Sequence, residues 1–534
     1  MGGSREVTAA FQQTSAKVEA ERAAVMGLNH APCELTLQRR CLDVSKASYL
    51  LRCSGDAISD AALTAFDTAA RHGVQEALAG EVSDEAWVQA TLGVDAGGLG
   101  LRESSQIALP AFVSSRVTSR PLVAEMASHF EAAGLGLASI CLRAYDQRLQ
   151  QAIDRMCDTL PEQMRPEILR CIADASEAAT RRWQACCNGE AEPPEDPDEG
   201  APQRAQGSRR PGAGLVPEVG TEDPEHPAAP VGAGGPRLRR QLVRIADACV
   251  ARGLLSRVRA AGDWDREHLL AELCSPDVSH EWLWNLHPDK GDALAPDDYV
   301  AATRLRLGSA GPTEAMPCAC CGNAVIGPTG LHALLCARGP STRGHNAIRD
   351  ELFAVASSLD ATSEREPQGL IPSRPGLRPA DLLTGASGFS GRLVALDVGV
   401  CCPAAAGAGA DCVESMRQRK AARMEPFASE LENGGIAYKP IIFSCFGRPH
   451  ADTKKLIQGF ARRLARRRGT EAAVEERRLA ARLGLQVWRR AARMVRRCLP
   501  STADDAIEED PSAYEHEVLW RVGHPASADQ EPVA

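Results

Sequence analysis

Two groups of residues in this 534-residue sequence have the types and spacing for metal chemistry. The first is Cys318-Ala-Cys320-Cys321-Gly322, followed by His332-Ala-Leu-Leu-Cys336. With Cys318 and Cys321 as one pair, the spacing reads C-x2-C-x10-H-x3-C. Zinc takes four nitrogen or sulfur ligands in a tetrahedron, and two thiolates separated by two residues wrap one side of the ion. Gly322 lets the chain turn tightly behind the metal, while His332 and Cys336 share one face of a helical turn. Cys318, Cys321, His332 and Cys336 are thus the expected ligands of a structural Zn2+. Cys320 is a spare that could replace Cys321 or simply pack.

The second group is acidic. Glu366 lies in Glu364-Arg365-Glu366-Pro367 and Asp381 in Arg378-Pro379-Ala380-Asp381-Leu382-Leu383. Asp397 lies inside Leu393–Val400, an apolar run of strand length and the mark of a strand buried on both faces. An unpaired carboxylate there is costly, so Asp397 needs a cation partner or a polar cleft. Asp381 is one hairpin upstream, and an antiparallel pair would bring both acids to one edge of a sheet, with Glu366 as a third ligand. Mg2+ or Mn2+ takes such carboxylates and completes its octahedron with water and phosphate oxygens. Near a scissile phosphate it generates the attacking hydroxide. The plainer alternative, a salt-bridged aspartate in a core strand, requires a buried Arg or Lys beside it. Downstream, Val413, Met416, Lys420, Met424, Phe427 and Leu431 recur at helical steps. Lys420 either snorkels from that apolar stripe or points into the acidic cleft, and Pro426 is expected to kink the helix.

The elements that must position these groups are only partly readable. A helix carrying His345 and Arg349 has apolar positions Ile348, Leu352, Val355 and Leu359. Residues 1–187 read as helical, with Ser59 and Ser83 as N-caps and Gly97-Gly98-Leu99-Gly100 as a turn or close backbone approach. A Pro/Gly/acidic linker expected to be disordered covers 188–236, and a helical linker domain covers 237–310. The knuckle then occupies 311–340, an α/β core 341–447, basic helices 448–500 and an acidic, disordered tail 501–534. The fold class is mixed: a mostly α-helical N-terminal half and a C-terminal α/β core with a zinc knuckle.

The overall charge of −9 argues against a nucleic-acid coat protein. From Arg448 to Arg497, however, sixteen Lys/Arg face four Asp/Glu. Arg462, Arg463, Arg466 and Arg467 cluster opposite Leu456, Phe460 and Leu464, and a second helix runs from Leu485 to Arg497. These arginines are either phosphate contacts, salt-dependent and blind to sequence, or a solvated face. The nineteen cysteines are scattered and odd in number, and the polar start lacks a signal peptide's apolar core. Nothing is apolar enough to span a membrane. A reducing compartment with free thiols is expected. Glu6 stands where myristoylation needs Ser or Thr.

The order Cys-x2-Cys, His-x3-Cys, His345-Asn-x-x-Arg349, Arg365-Glu366-Pro367, Gly376-Leu-Arg378-Pro-x-Asp381, Leu396-Asp397-Val resembles the C-terminal part of non-LTR retrotransposon polyproteins. The subclass is the one with a restriction-like endonuclease of the PD-(D/E)XK superfamily. The match covers about 318 to 445. It implies a Mg2+- or Mn2+-dependent endonuclease that nicks target DNA, with Asp381 and Asp397 as metal ligands, Glu366 as accessory acid and Lys420 as the migrated lysine. The position two beyond the second acid, where the superfamily lysine stands, is Gly399, and the Arg usual before His345 is Gly344. His345, Arg349 and Arg378, with the arginines of the basic helix, are the expected nucleic-acid contacts. DNA is the implied partner and the nucleus the implied compartment; element RNA and a homodimer stay open. Gly97–Arg102 and Trp282–Leu307 show weaker similarity to the same proteins. The polymerase's Tyr/Phe-x-Asp-Asp is missing, since Tyr145-Asp146 lacks the second aspartate and Asp297-Asp298 precedes its tyrosine. The chain then reads as a truncated or domesticated 3′ fragment without reverse transcriptase activity. A catalytically inactive, zinc-containing nucleic-acid-binding relic is the alternative.

Overall fold

A computed structural model describes residues 4–134, 138–188, 234–285, 293–336, 341–386 and 392–499. The described chain is mostly helical with small mixed sheets. None of its helices is long and apolar enough to cross a membrane. The expected tail and almost all of the expected linker lie outside the described residues.

Two compact units interleave along the chain. One comprises Met1–Gly27, Leu37–Gly73 and Leu101–Ala251; the other comprises Leu28–Thr36, Val74–Gly100 and Arg252–Ala534. The packing units therefore do not follow the sequence blocks, since residues 28–36 and 74–100 pack with the C-terminal part.

The first unit has helices and no strand among its described residues. Its cores gather Phe11, Leu51 and Phe66 in one cluster, and Phe112, Ile168 and Leu242 in another. Its longest helix, Ser104–Ala132, begins on a buried carboxylate: Asp67 accepts from the Ser104 N–H at 2.6 Å and the Ser105 N–H at 3.1 Å. Those donors have no partner inside the helix, so Asp67 satisfies them without solvent. Ser59 caps its helix by accepting from the Ala62 N–H at 3.4 Å. Tyr145 and Asp146 lie on the helix Ala138–Asp158.

The second unit holds both metal candidates. The elements around them begin with α1 (Pro296–Arg306), the hairpin β1 (Met316–Pro317) and β2 (Val325–Ile326), and α2 (His332–Leu335). The segment continues with α3 (Ser341–Leu359), β3 (Glu364–Arg365), β4 (Leu382–Thr384), β5 (Leu393–Cys401) and α4 (Cys412–Met424). It ends with α5 (Ala428–Asn433), β6 (Ile436–Ser444), α6 (Ala451–Arg468) and α7 (Ala472–Cys498). Strands β3 to β6 form one sheet in sequence order, with two antiparallel pairings and a final parallel one. The parallel β5–β6 pair needs a crossover, which α4 and α5 provide. Pro426 separates those two helices with a short 3-10 turn, as its missing N–H dictates. Ile348 and Leu352 of α3, Val394, Leu396 and Val398 of β5, and Phe460 of α6 meet in the main core.

In the same unit Ser83 caps its helix through the Ala86 N–H at 3.2 Å. The glycine cluster is a close approach, as expected: a Cβ on Gly98 would lie 2.1 Å from the Leu92 carbonyl oxygen. Fully buried Arg306 donates to the Gly98 and Val94 carbonyls at 2.9 Å each.

Helix α7 departs from the expected second basic face. Trp488 and Val495 are buried, with Trp488 stacked 4.7 Å from Trp282. Several of its arginines are tied to other elements: Arg482 pairs with Glu351, Arg489 donates to the Ala293 carbonyl, and Arg493 and Arg496 pair with Asp298. A 3.6-residue repeat of apolar and basic residues suits a surface helix and a helix clamped on several sides equally well. The carboxylates that decide the matter come from distant parts of the chain.

Candidate metal centres

The knuckle is built on the β1–β2 hairpin. Beyond β1 the Cys318 N–H donates to the Ala324 carbonyl and the Gly322 N–H to the Cys318 carbonyl, both at 2.8 Å. Gly322 completes the turn at φ +68°, a conformation that favours glycine. The loop and α2 bring Cys318, Cys321, His332 and Cys336 together, with all four ligand atoms within 4.8 Å of one another. Cys318 Sγ lies 3.9 Å from Cys336 Sγ, and Cys321 Sγ lies 3.5 Å from His332 Nε2. Metal–sulfur bonds of ~2.3 Å in a tetrahedron require ligand edges of roughly 3.8 Å, so the donor set fits zinc. This Cys3His cluster could hold a metal such as zinc. Burial opposes ionisation of Cys318, but the N–H groups of Cys321 and Cys320 outweigh it and bring the thiol down to about 7. The Asn323 and Ala324 N–H groups lower Cys321 as well. Both shifts favour the thiolates a metal takes. Cys320 is not a fifth ligand; its thiol donates to the Arg497 carbonyl at 3.0 Å, and Ala319 N–H donates to Cys498 O at 3.0 Å. The knuckle is thus pinned to the end of α7.

The acids are aligned by strand register. Arg365 is opposite Leu382, and Leu382 is opposite Leu396. One step further along, the Glu366 N–H donates to the Asp381 carbonyl, and the Asp381 N–H donates to the Leu396 carbonyl, both at 2.9 Å. Glu366, Asp381 and Asp397 therefore stand abreast on three neighbouring segments, where abreast residues share a face. With Arg378 and Arg423 they line a cleft of about 200 Å3. Glu366 sits at φ +48°, an uncommon conformation for a residue other than glycine.

Each acid has a basic partner. His345 Nε2 is 3.0 Å from Asp381 Oδ1, while the Val398 N–H donates to Oδ2 at 2.7 Å. Burial would raise Asp381, but the bonds from His345 and Val398, aided by Lys420, hold it below its ordinary value. Lys420 Nζ pairs with Asp397 Oδ1, and the Tyr438 hydroxyl donates to Oδ2 at 2.5 Å. Burial and the Asp397 charge push the Tyr438 hydroxyl up, so it stays a donor. Arg349 pairs with Glu366 Oε1, and Arg378 donates to Oε2 at 2.7 Å.

Two glycines leave room for long basic side chains from neighbouring helices. A Cβ on Gly399 would lie 2.8 Å from Lys420 Cε and 3.5 Å from Met416 Cγ. The stem of Lys420 thus occupies the space of a side chain at 399, on the same face of β5 as Asp397. Likewise, a Cβ on Gly344 would lie 2.2 Å from Arg490 Cγ, so Arg490 fills that position from α7.

The structure gathers His345, Arg349, Arg378 and Lys420 around the three acids. Arg349 is buried and engaged with Asp350 and Glu366, a holding role rather than an open phosphate contact. Arg463 donates to the Gly385 carbonyl at 3.1 Å beside the sheet, whereas Arg462, Arg466 and Arg467 are exposed on α6. Asp297 and Asp298 lie in the first turn of α1, tied to α7 arginines. Sequence reasoning missed Tyr438 and Arg423. Reading Ile436–Ser444 as the strand beside β5 would have put Tyr438 near Asp397; Arg423 had only its place one turn after Lys420. No family model matches the sequence, and no curated protein matches it either.

Proposed function

We propose that the second unit is a divalent-metal-dependent DNA endonuclease of the restriction-like PD-(D/E)XK kind, carrying a structural zinc knuckle, as in non-LTR retrotransposon proteins. The observation that carries this reading is the line of Glu366, Asp381 and Asp397 across adjacent strands, with Lys420 filling the space beside Gly399. An acid pair plus accessory acid, open to a cleft, is more than a core ion pair requires. The left-handed Glu366 in the same cleft adds an outlier of the kind functional sites retain.

In this reading Asp381 and Asp397 hold Mg2+ or Mn2+, which would supply an activated water and neutralise charge on the phosphate. Val398 and Tyr438 fix the second oxygen of each aspartate and so aim the first. Glu366 orients water, and Lys420, released from Asp397, places its ammonium on a phosphate oxygen. The exposed arginines of α6 give salt-dependent affinity for DNA. The same reading places the protein in the nucleus.

A second reading has its own observation: all three acids are already paired with cations, the state expected of a silent site. It describes a zinc-stapled, nucleic-acid-binding relic. Nicking of supercoiled DNA by the full-length, zinc-loaded protein with Mn2+ separates the two. The endonuclease reading expects nicks that vanish in Asp381→Asn and Asp397→Asn; equal cutting by wild type and variants, or none by wild type, defeats it.

A further inference from the structure

We propose that Arg423 is the phosphodiester clamp of the acidic cleft, holding a non-bridging oxygen of the bond to be cut. This rests on the endonuclease reading and adds to it a substrate contact. Arg423 lines the cleft with Glu366, Asp381 and Asp397, and its side chain is exposed to incoming ligand. The other cations at the acids are committed. Lys420 is on Asp397, His345 on Asp381, and Arg349 and Arg378 divide the oxygens of Glu366. Among the described residues, Arg423 has neither a hydrogen bond nor an ion pair, although three carboxylates line the same cleft. Near it lies Tyr438, whose hydroxyl burial and Asp397 push up against the smaller pull of the Arg423 charge, and which donates to Asp397.

Helix geometry gives the division of labour. Lys420 and Arg423 are one turn apart on α4, so they share a face with Cβ atoms about 5–6 Å apart. Lys420 is drawn to the strand by the space at Gly399, while Arg423 stands exposed at the last turn of the helix and lines the cleft. A guanidinium offers two parallel N–H groups to two phosphate oxygens, a geometry an ammonium lacks. With three acids, their basic partners and one divalent ion in place, Arg423 adds net positive charge that a phosphodiester would neutralise. Nucleobases, which carry no charge, would not.

The test uses the full-length, zinc-loaded protein in two assays. In the first, nicking of supercoiled DNA is measured with saturating Mn2+ for wild type, Arg423→Ala and Arg423→Lys. In the second, dimethyl phosphate, a phosphodiester without nucleosides, is titrated by phosphorus NMR line width with Ca2+ present. Arg423→Ala should slow nicking on the order of 10-fold or more at unchanged Mn2+ affinity, with Arg423→Lys in between, and should abolish the line broadening seen with wild type. Wild-type nicking and broadening in Arg423→Ala overturn the clamp and leave the endonuclease reading standing. Broadening that depends on Arg423 in a protein that never nicks keeps the clamp and defeats the endonuclease reading. Absence of broadening in wild type overturns the clamp.

Discussion

The knuckle and the acidic cleft hold their ligands in opposite ways. In the knuckle, Cys318, Cys321, His332 and Cys336 converge on one another. In the cleft, every carboxylate is already neutralised by a basic side chain. The first arrangement offers the donors that a metal such as zinc would take. The second is complete without one. On the proposed endonuclease reading, a structural ion and an exchangeable catalytic ion would call for this difference, since the catalytic ion must be bound weakly enough to be shared with substrate. The cations that neutralise the acids are the groups a phosphate would attract away.

The largest expected effect is on the knuckle. Its strands are two residues long, so a bound metal is expected to supply much of its stability. Structural zinc contributes about 10–16 kcal/mol of apparent binding energy in isolated fingers at neutral pH. Chelation, or Cys318→Ser, should unfold residues 316–336 and release the end of α7 that Ala319 and Cys320 contact. Hydrogen exchange at Val495–Cys498 reports it; unchanged protection after zinc removal would show that the hairpin stands alone.

Lys420→Ala sharpens the comparison from the other side. It removes the competitor at Asp397, so Mn2+ affinity should rise while nicking falls, by roughly 100-fold if Lys420 serves the phosphate. A joint fall of both would make Lys420 part of the metal site, contrary to the self-neutralised state described above. Tyr438→Phe should act more gently. It deletes one donor to Asp397 and leaves the ring, and loss of an outer partner of a metal ligand costs about 10–100-fold in affinity or activity. Calorimetry and nicking should both weaken toward the low end of that range; a silent variant would relegate the 2.5 Å contact to packing.

Much of this was readable in the sequence where chemistry and local periodicity coincide. The knuckle is set by short spacing over 318–336, and the buried strand around Asp397 is set by an unbroken apolar run. The Pro426 break and the Ser59 and Ser83 caps are local too. What stayed hidden depends on partners far along the chain. Whether Lys420 snorkels or enters the cleft turns on the missing side chain of Gly399 meeting a lysine of the following helix. The engagement of Arg489, Arg493 and Arg496 needs the carbonyl of Ala293 and the carboxylate of Asp298. Tyr438 touches Asp397 only because β6 runs parallel to β5 in one particular register. Periodicity names the buried face of an element but not its neighbour.

The most direct measurement is calorimetric titration of Mn2+ into the full-length, zinc-loaded protein, wild type beside Asp381→Asn/Asp397→Asn. The account predicts one binding event in wild type that is absent from the double variant, with binding weakened as His345 and Lys420 compete. Equal heats in both proteins, or none in either, would mean that the aligned acids do not converge on a metal, and the cleft would then be an ion-pair network and nothing more.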